Sequence, residues 1–222
     1  MRLDYLAHSC FLLEHGGYRV LFDPYDPAIG YPAPRVLDPD LIVVSHDHHD
    51  HNAVSQIAGR STVVRGIAQR KYGPLTLSGS VGWHDDGEGA EPVSLTLLQW
   101  AGRRLAHFGD LGCGLEAEQE DLFQRLDLLL MPCGGDYTLD GPKAARVVEK
   151  IRPRVVVPMH YATPFLSRAQ FPNLESADSF VAACGTFSRI VAERQGSVSL
   201  DQLWAQSKED EVVVLHLQHL MA

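Results

Sequence analysis

The sequence predicts a mixed fold, α/β or α+β, on three observations. The chain opens with short strand patterns linked by a tight turn, later strand-like apolar runs alternate with helical patterns, and three of those runs pass straight into polar loops. Such alternation implies sheet strands joined by crossover helices rather than an all-β sandwich.

Residues 2–6, 10–14 and 18–22 read as strands, with His15-Gly16-Gly17 as the hairpin turn between the second and the third. Residues 41–44, 128–131 and 155–157 are continuous apolar runs, the pattern of strands buried on both faces. They lead into Ser45-His46-Asp47-His48, Pro132-Cys133-Gly134-Gly135-Asp136 and Pro158-Met159-His160-Tyr161. Functional groups collect in loops of this kind at one end of a sheet. Asn52 is placed to cap a helix running to about residue 58, and residues 115–126 carry apolar side chains at helical spacing. Pro142 suits a first helical position, Ala144, Val147, Val148 and Ile151 share one face, and Pro153 ends that segment. Residues 176–183 are a further helical candidate, and no internal repeat or linker divides the chain.

A chain of 222 residues, 45% of them hydrophobic, is long enough for one well-buried core, so one domain over residues 1–222 is expected. The net charge of −9, with no Lys/Arg run, opposes binding to a phosphate backbone, and no nucleic-acid partner is expected. Met1-Arg2-Leu3-Asp4-Tyr5 puts an acid where a signal peptide would be apolar, and no apolar run approaches a membrane span. A cytoplasmic protein with no membrane partner is the expectation. Cys10, Cys113, Cys133 and Cys184 form no C-x-x-C pair and read as reduced thiols, Cys133 being the one nearest a functional loop.

The chemistry concentrates in Ser45-His46-Asp47-His48-His49-Asp50-His51, which holds four of the eleven histidines directly after a buried strand. In extended chain, residues two apart point the same way, so His46 and His48 can grip one cation while Asp50 and His51 turn toward a second. Imidazole and carboxylate ligands suit zinc, and also manganese or iron. The competing account is a solvated polar loop whose histidines only cap the next helix, and the density of the cluster weighs against it. His49 occupies the variable position of the spacing and reads as a surface residue.

This string resembles the H-x-H-x-D-H signature of the metallo-β-lactamase superfamily, and the wider pattern looks like its lactonase-like, UPF0173-like branch of small metal-dependent hydrolases. The similarity runs through Leu6-Ala7-His8-Ser9-Cys10-Phe11, Leu21-Phe22-Asp23-Pro24, the histidine cluster, Gly109-Asp110-Leu111-Gly112, Gly134-Gly135 with Gly141-Pro142, and Pro158-Met159-His160-Tyr161. The resemblance implies a four-layer αββα sandwich, two packed sheets flanked by helices, with two divalent metal ions at one edge. It implies one ion on His46, His48 and His84, another on Asp50, His51 and His160, and Asp110 bridging them. Asp23 would accept hydrogen bonds that orient the ligands. His8 matches a family position, although a partly buried hydrogen-bonded histidine is as good an account of it. Asp110 stands between glycines in a turn, where aspartates are common without a metal. His84 departs from the pattern, because the family usually places small hydroxyl residues after it and Asp85, Asp86, Gly87 and Glu88 follow here. His107 competes with it, but on the strand leading to Asp110 it reads better as a supporting or packed residue. His15, His216 and His219 lie outside every motif.

The implied activity is hydrolysis. Two adjacent metal ions lower the pKa of a shared water from ~15.7 toward ~7, giving a hydroxide nucleophile at neutral pH. Asp110 would help hold that water and Asp50 would orient or relay its proton. Lactone, ester, thioester and phosphodiester bonds all stay open. Two rivals are a redox di-iron protein on the same fold, whose branch carries Glu where this chain has His48, and a non-catalytic binding module. The substrate is expected to be a small molecule chosen by loops 26–35, 85–91, 134–139 and 163–171. Tyr25, Tyr31, Tyr137, Tyr161 and Phe165 are candidate apolar walls, and Gly134 and Gly135 candidate oxyanion donors. Assembly into a homo-oligomer stays open.

Overall fold

A computed structural model describes residues 1–36, 38–67, 69–85, 90–193 and 195–220. Strands β1 (Arg2–Ala7), β2 (Cys10–His15) and β3 (Tyr18–Phe22) form an antiparallel meander. Gly16 and Gly17 have φ of 59° and 81°, as a two-residue hairpin turn with two left-handed positions requires. β4 (Leu41–Val44) and β5 (Thr62–Arg65) add in parallel on one side, and β13 (Ser197–Ser199) pairs with β1 on the other, giving the order β13-β1-β2-β3-β4-β5.

The second sheet starts with β6 (Arg70–Tyr72), β7 (Leu75–Trp83), β8 (Pro92–Trp100) and β9 (Arg103–His107), an antiparallel run. It continues through the parallel strands β10 (Leu128–Pro132), β11 (Val155–Met159), β14 (Val213–Leu217) and β12 (Arg189–Glu193). The helices are α1 (Ala117–Leu122), α2 (Gly141–Ile151), α3 (Asp178–Cys184) and α4 (Leu200–Gln206). α2 begins as expected, capped by Asp140 and with Pro142 in its first turn, and Arg152 closes it before Pro153. The two mixed sheets with helices are the predicted fold class.

Period-two alternation divides the first sheet between two cores. Leu3, Tyr5, Phe11, Leu13, Val20, Phe22 and Val43 join the core shared with the second sheet. Ala7, Cys10, Leu12, Leu21, Ile42 and Val44 join another, covered by Tyr25, Ile29, Tyr31, Leu166, Phe171 and Leu174. This outer cover is largely irregular chain, since Pro27, Pro32 and Pro34 deny the segment helical hydrogen bonds and only a 3-10 turn forms at Pro27–Ile29.

Three expectations change. No helix follows Asn52: its side chain donates to Asp47, and a 3-10 turn at Val54–Gln56 takes the place of the helix. The 115–126 helix shrinks to α1, which starts at a capping box of Glu116 and Gln119. Tyr25, Tyr31 and Tyr161 are only 3%, 2% and 6% exposed and belong to the cores, whereas Tyr137 and Phe165 are exposed. Tyr25 donates to Pro32 O and Tyr31 meets Thr163 Oγ1, so their hydroxyls find partners under the loops. Among the described residues, no helix is long and apolar enough to cross a membrane.

Candidate metal centre

Strand ends from both sheets converge on one edge. Asp23 follows β3, His46 to His51 follow β4, His84 follows β7, Asp110 lies just beyond β9, His160 follows β11, and His8 sits in the β1–β2 turn. The backbone is strained there: His8, Asp23 and His160 have φ of 54°, 40° and 49°. Each costs about 1–2 kcal/mol in a non-glycine residue and persists because neighbours hold it. His8 O accepts from both His160 N and Tyr5 Oη, and Asp23 N donates to Val43 O. Close backbone approach also fixes two glycines. A Cβ on Gly112 would lie 1.4 Å from His84 O, and one on Gly134 would lie 2.2 Å from His160 O.

The side chains form two donor groups and a link. His46 Nε2 is 3.0 Å from His48 Nδ1 and 3.1 Å from His84 Nε2. Asp50 Oδ2 is 3.0 Å from His8 Nε2, 3.4 Å from His51 Nε2 and 3.7 Å from His160 Nε2. Asp110 reaches both: Oδ1 is 3.1 Å from His51 Nε2, while Oδ2 is 3.1 Å from His160 Nε2 and 3.7 Å from each of His46 and His84 Nε2. Every residue predicted to hold a metal is thus in the assembly, and His8 joins the second group.

The donor set fits a cation. His51 Nε2, Asp110 Oδ1 and His160 Nε2 are buried with no hydrogen-bond partner, although they lie 3.1 Å from atoms of opposite type. Buried polar atoms left unpaired are costly, and a shared cation would satisfy them together. Ligand atoms ~2.0–2.1 Å from a tetrahedral zinc stand about 3.3 Å from one another, within the spread of separations found here.

Outer contacts aim these groups. Asp23 Oδ2 accepts from Ser45 Oγ at 2.6 Å and lies 2.8 Å from His51 Nδ1, while Ser45 N donates to Asp23 Oδ1. Ser45 Oγ is also 2.9 Å from His46 Nδ1, so one serine ties Asp23 to both donor groups. His84 Nδ1 lies 2.8 Å from Tyr137 O, and His48 Nε2 lies 2.7 Å from Glu91 Oε2. These contacts fix which ring nitrogen faces inward. His107 points elsewhere: Nδ1 accepts from Gly109 N, Nε2 faces Ser9 O, and the ring stacks on Phe22 at 5.0 Å. It supports the turn before Asp110 and stands outside both donor groups.

The buried carboxylates favour protons on two of the histidines. Burial opposes a charged His160, but Asp110 and Asp50 raise its pKa to about 9, and His51 is raised by Asp110, Asp50 and Asp23 against the same burial. His8 and His46 go the other way, to about 4 and about 3, through burial and neighbouring histidines. Burial also disfavours charged Asp50 and Asp110, yet the histidines around them hold both well below the usual carboxylate range.

Other candidates fall outside. His49 is exposed, 3.2 Å from Gln170 Oε1. His15, His216 and His219 make ring contacts with Trp100, with Tyr161, and with Tyr5, Tyr31 and Phe165. Gly135 N donates to Leu139 O and is spent as an oxyanion donor. Cys133 is buried, its thiol donates to Met159 O, and burial pushes its pKa up, so it is no nucleophile. Asp86, Gly87 and Glu88 lie outside the described residues. Two residues escaped the sequence reading: Ser45, whose one signal is a hydroxyl closing an apolar strand, and Phe171, whose ring packs 5.4 Å from His8.

Comparison with known proteins agrees with this geometry. The family profile described as "Beta-lactamase superfamily domain" matches residues 2–160. A UPF0173 metal-dependent hydrolase of Thermococcus kodakarensis is 31% identical over 194 residues, covering 73% of this chain and 85% of the relative. One from Carboxydothermus hydrogenoformans is 28% identical over 197 residues, with the same coverage. A crystal structure from Thermotoga maritima, described as a candidate Zn-dependent hydrolase of the metallo-β-lactamase superfamily, has 27% identity and a TM-score of 0.74 over 98% of this chain and 99% of that one. The profile, the identities and the converging His and Asp side chains place the chain in the metallo-β-lactamase superfamily, as a metal-dependent hydrolase of the UPF0173 family.

Proposed function

We propose that the protein cleaves a lactone, ester or phosphodiester bond in a small molecule with the help of two divalent metal ions, zinc first, manganese or iron as the other candidates. Asp110 carries this reading, because one carboxylate reaches both donor groups within 3.7 Å. His46, His48 and His84 would hold one ion, and Asp50, His51 and His160 the other, with Asp110 shared. Ions bound there supply Lewis acidity, lowering the pKa of a water toward neutrality and polarising the scissile carbonyl or phosphoryl oxygen.

The chain's own groups do the rest. Asp110 positions the nucleophile between the two groups. Asp50, with Oδ2 fixed by His8 Nε2 at 3.0 Å, relays the proton to the leaving oxygen. Tyr137 and Phe165, exposed beside these loops, offer apolar walls. With a net charge of −9, a cytoplasmic, single-domain enzyme without nucleic-acid or membrane partners fits best, and sizing chromatography would report any homo-oligomer.

The test is elemental analysis of the purified protein beside a panel of lactones, esters and phosphodiesters. The expected result is close to two ions per chain and turnover that a chelator abolishes and zinc restores. Protein that stays metal-free after reconstitution would overturn the reading.

A further inference from the structure

A sheet that ends in an open strand presents a row of unpaired main-chain groups, and natural proteins guard such edges with charge, brevity or cover. The second sheet ends at β12, the strand Arg189-Ile190-Val191-Ala192-Glu193, which pairs with β14 on one side and with no strand on the other. Arg189 N donates to Val212 O and Glu193 O accepts from Gln218 N, so residues 189, 191 and 193 turn their main-chain groups toward β14. Period two then turns the N–H and C=O of Ile190 and Ala192 out of the sheet, toward its open side.

The sequence of β12 is complementary to itself. Laid antiparallel against a second copy and centred on Val191, it sets Ile190 opposite Ala192 of the other copy and Arg189 opposite Glu193, each twice by symmetry. The outward-turned groups fall on the Ile190–Ala192 pairs, as an antiparallel ladder requires of the pairs that exchange both main-chain bonds. Centring on a residue also keeps the core faces of both sheets on the same side. The side chains agree with this register. Ile190 is 37% exposed and Ala192 is exposed, a large and a small apolar group on one face. On the other face Glu193 is exposed with no ion pair among the described residues. Arg189 bonds Glu211 through Nε and Nη2, which leaves Nη1 for Glu193 of a second copy. The other edge strands lack this pattern. β6 holds Arg70 and Lys71 and β5 holds Arg65, each without an acid to face it, and β13 carries no charge.

We propose that β12 is the contact of a symmetric homodimer, in which two copies of the strand pair antiparallel about Val191 and join two eight-stranded sheets into one. The axis crosses the sheet and reverses strand direction, so the two metal centres open at opposite edges of the joined sheet. The pairing stands apart from the hydrolase reading, and either can fail without the other.

Sedimentation equilibrium of the full chain, from micromolar to sub-millimolar concentration, is expected to show a monomer–dimer equilibrium. Ala192→Pro removes an N–H that the single chain does not use against β14, a position where an edge strand tolerates proline. Losing that bond from both pairs should weaken dimerisation at least roughly tenfold. Glu193→Lys sets a lysine against Arg189 at both ends and should weaken it by roughly tenfold. In hydrogen exchange, the amides of Ile190 and Ala192 should gain protection as concentration rises, while that of Val191, already turned toward β14, should not change. A chain that stays monomeric over the whole range overturns the proposal. So does a dimer in which the Ile190 and Ala192 amides remain unprotected, or one whose affinity is unchanged in Glu193→Lys, since the contact then lies on another surface. Should Ala192→Pro lose the circular dichroism of the wild type, Glu193→Lys and the exchange measurement decide by themselves.

Discussion

The two donor groups use the same chemistry in different surroundings. In the group of His8, Asp50, His51 and His160, no side chain is more than 7% exposed, and behind it lies Asp23, itself 1% exposed. In the group of His46, His48 and His84, the His48 side chain is 42% exposed and its outer partner Glu91 is 65% exposed. Burial makes every unpaired atom of the first set expensive, so its geometry is held from behind by strain, by Asp23 and by Ser45. The second set is open where His48 meets solvent, which is the side from which a substrate would approach. The buried group is therefore expected to keep its ion and the open group to exchange it.

Asp110 is the one residue whose loss would erase the difference, because it serves both groups. Asp110→Asn keeps the shape and removes the charge. Hydrolysis is expected to fall by more than the ~100-fold typical of losing an outer hydrogen-bond partner, with the metal count dropping toward one and the circular dichroism unchanged. Unchanged metal content and rate would take Asp110 out of the site.

Next in size is a pH effect confined to the buried group. His160, at about 9 in the metal-free fold against about 6.5 unfolded, contributes stability that is complete below pH 6.5 and lost as pH rises through 9. The loss is on the order of 3 kcal/mol by linkage, read as a falling Tm between pH 6.5 and 9 in chelated protein. A bound cation takes the place of that proton, so the loaded protein should be flat over the same window. A flat profile without metal would mean that His160 is neutral in the fold.

A smaller contrast sharpens the comparison at its outer contacts. Asp23→Asn should weaken metal affinity by roughly 10–100-fold, since it supports His51 and Ser45 from a buried position. Glu91→Gln, on an exposed side chain, should change it by no more than about threefold. Competition with a chromogenic chelator reads both, and equal losses would abolish the distinction between a buried and an open group.

Legibility followed chain distance. The cluster from His46 to His51 was readable because its ligands are nearly consecutive, whereas Asp110 and His160 came from the family resemblance, since a strand running into a turn does not by itself mark a ligand. β3 was bounded correctly from its strand pattern after the glycine turn, and β4 from its apolar run. β5 and β6, at the sheet edges, were not visible, since their residues are mostly exposed and lack the apolar run that marks a buried strand. Tyr25 and Tyr31 misled because a tyrosine in a Pro-rich loop has the same local sequence whether the loop is open or packed against a sheet.

His49 gives the smallest expected effect and the strictest check on register. It stands between His48 and Asp50, so a shift of one residue in the cluster would exchange it with a ligand and move every side chain to the other side of the loop. Here it is exposed, contacts Gln170, and approaches Asp50 Oδ1 only to 4.0 Å. His49→Ala should therefore leave metal content and turnover unchanged, with stability shifted by no more than about 0.5 kcal/mol, the usual range for a surface substitution. Loss of one ion in that variant would mean that His49 is a ligand, and the division into a buried and an open group would have to be redrawn around it.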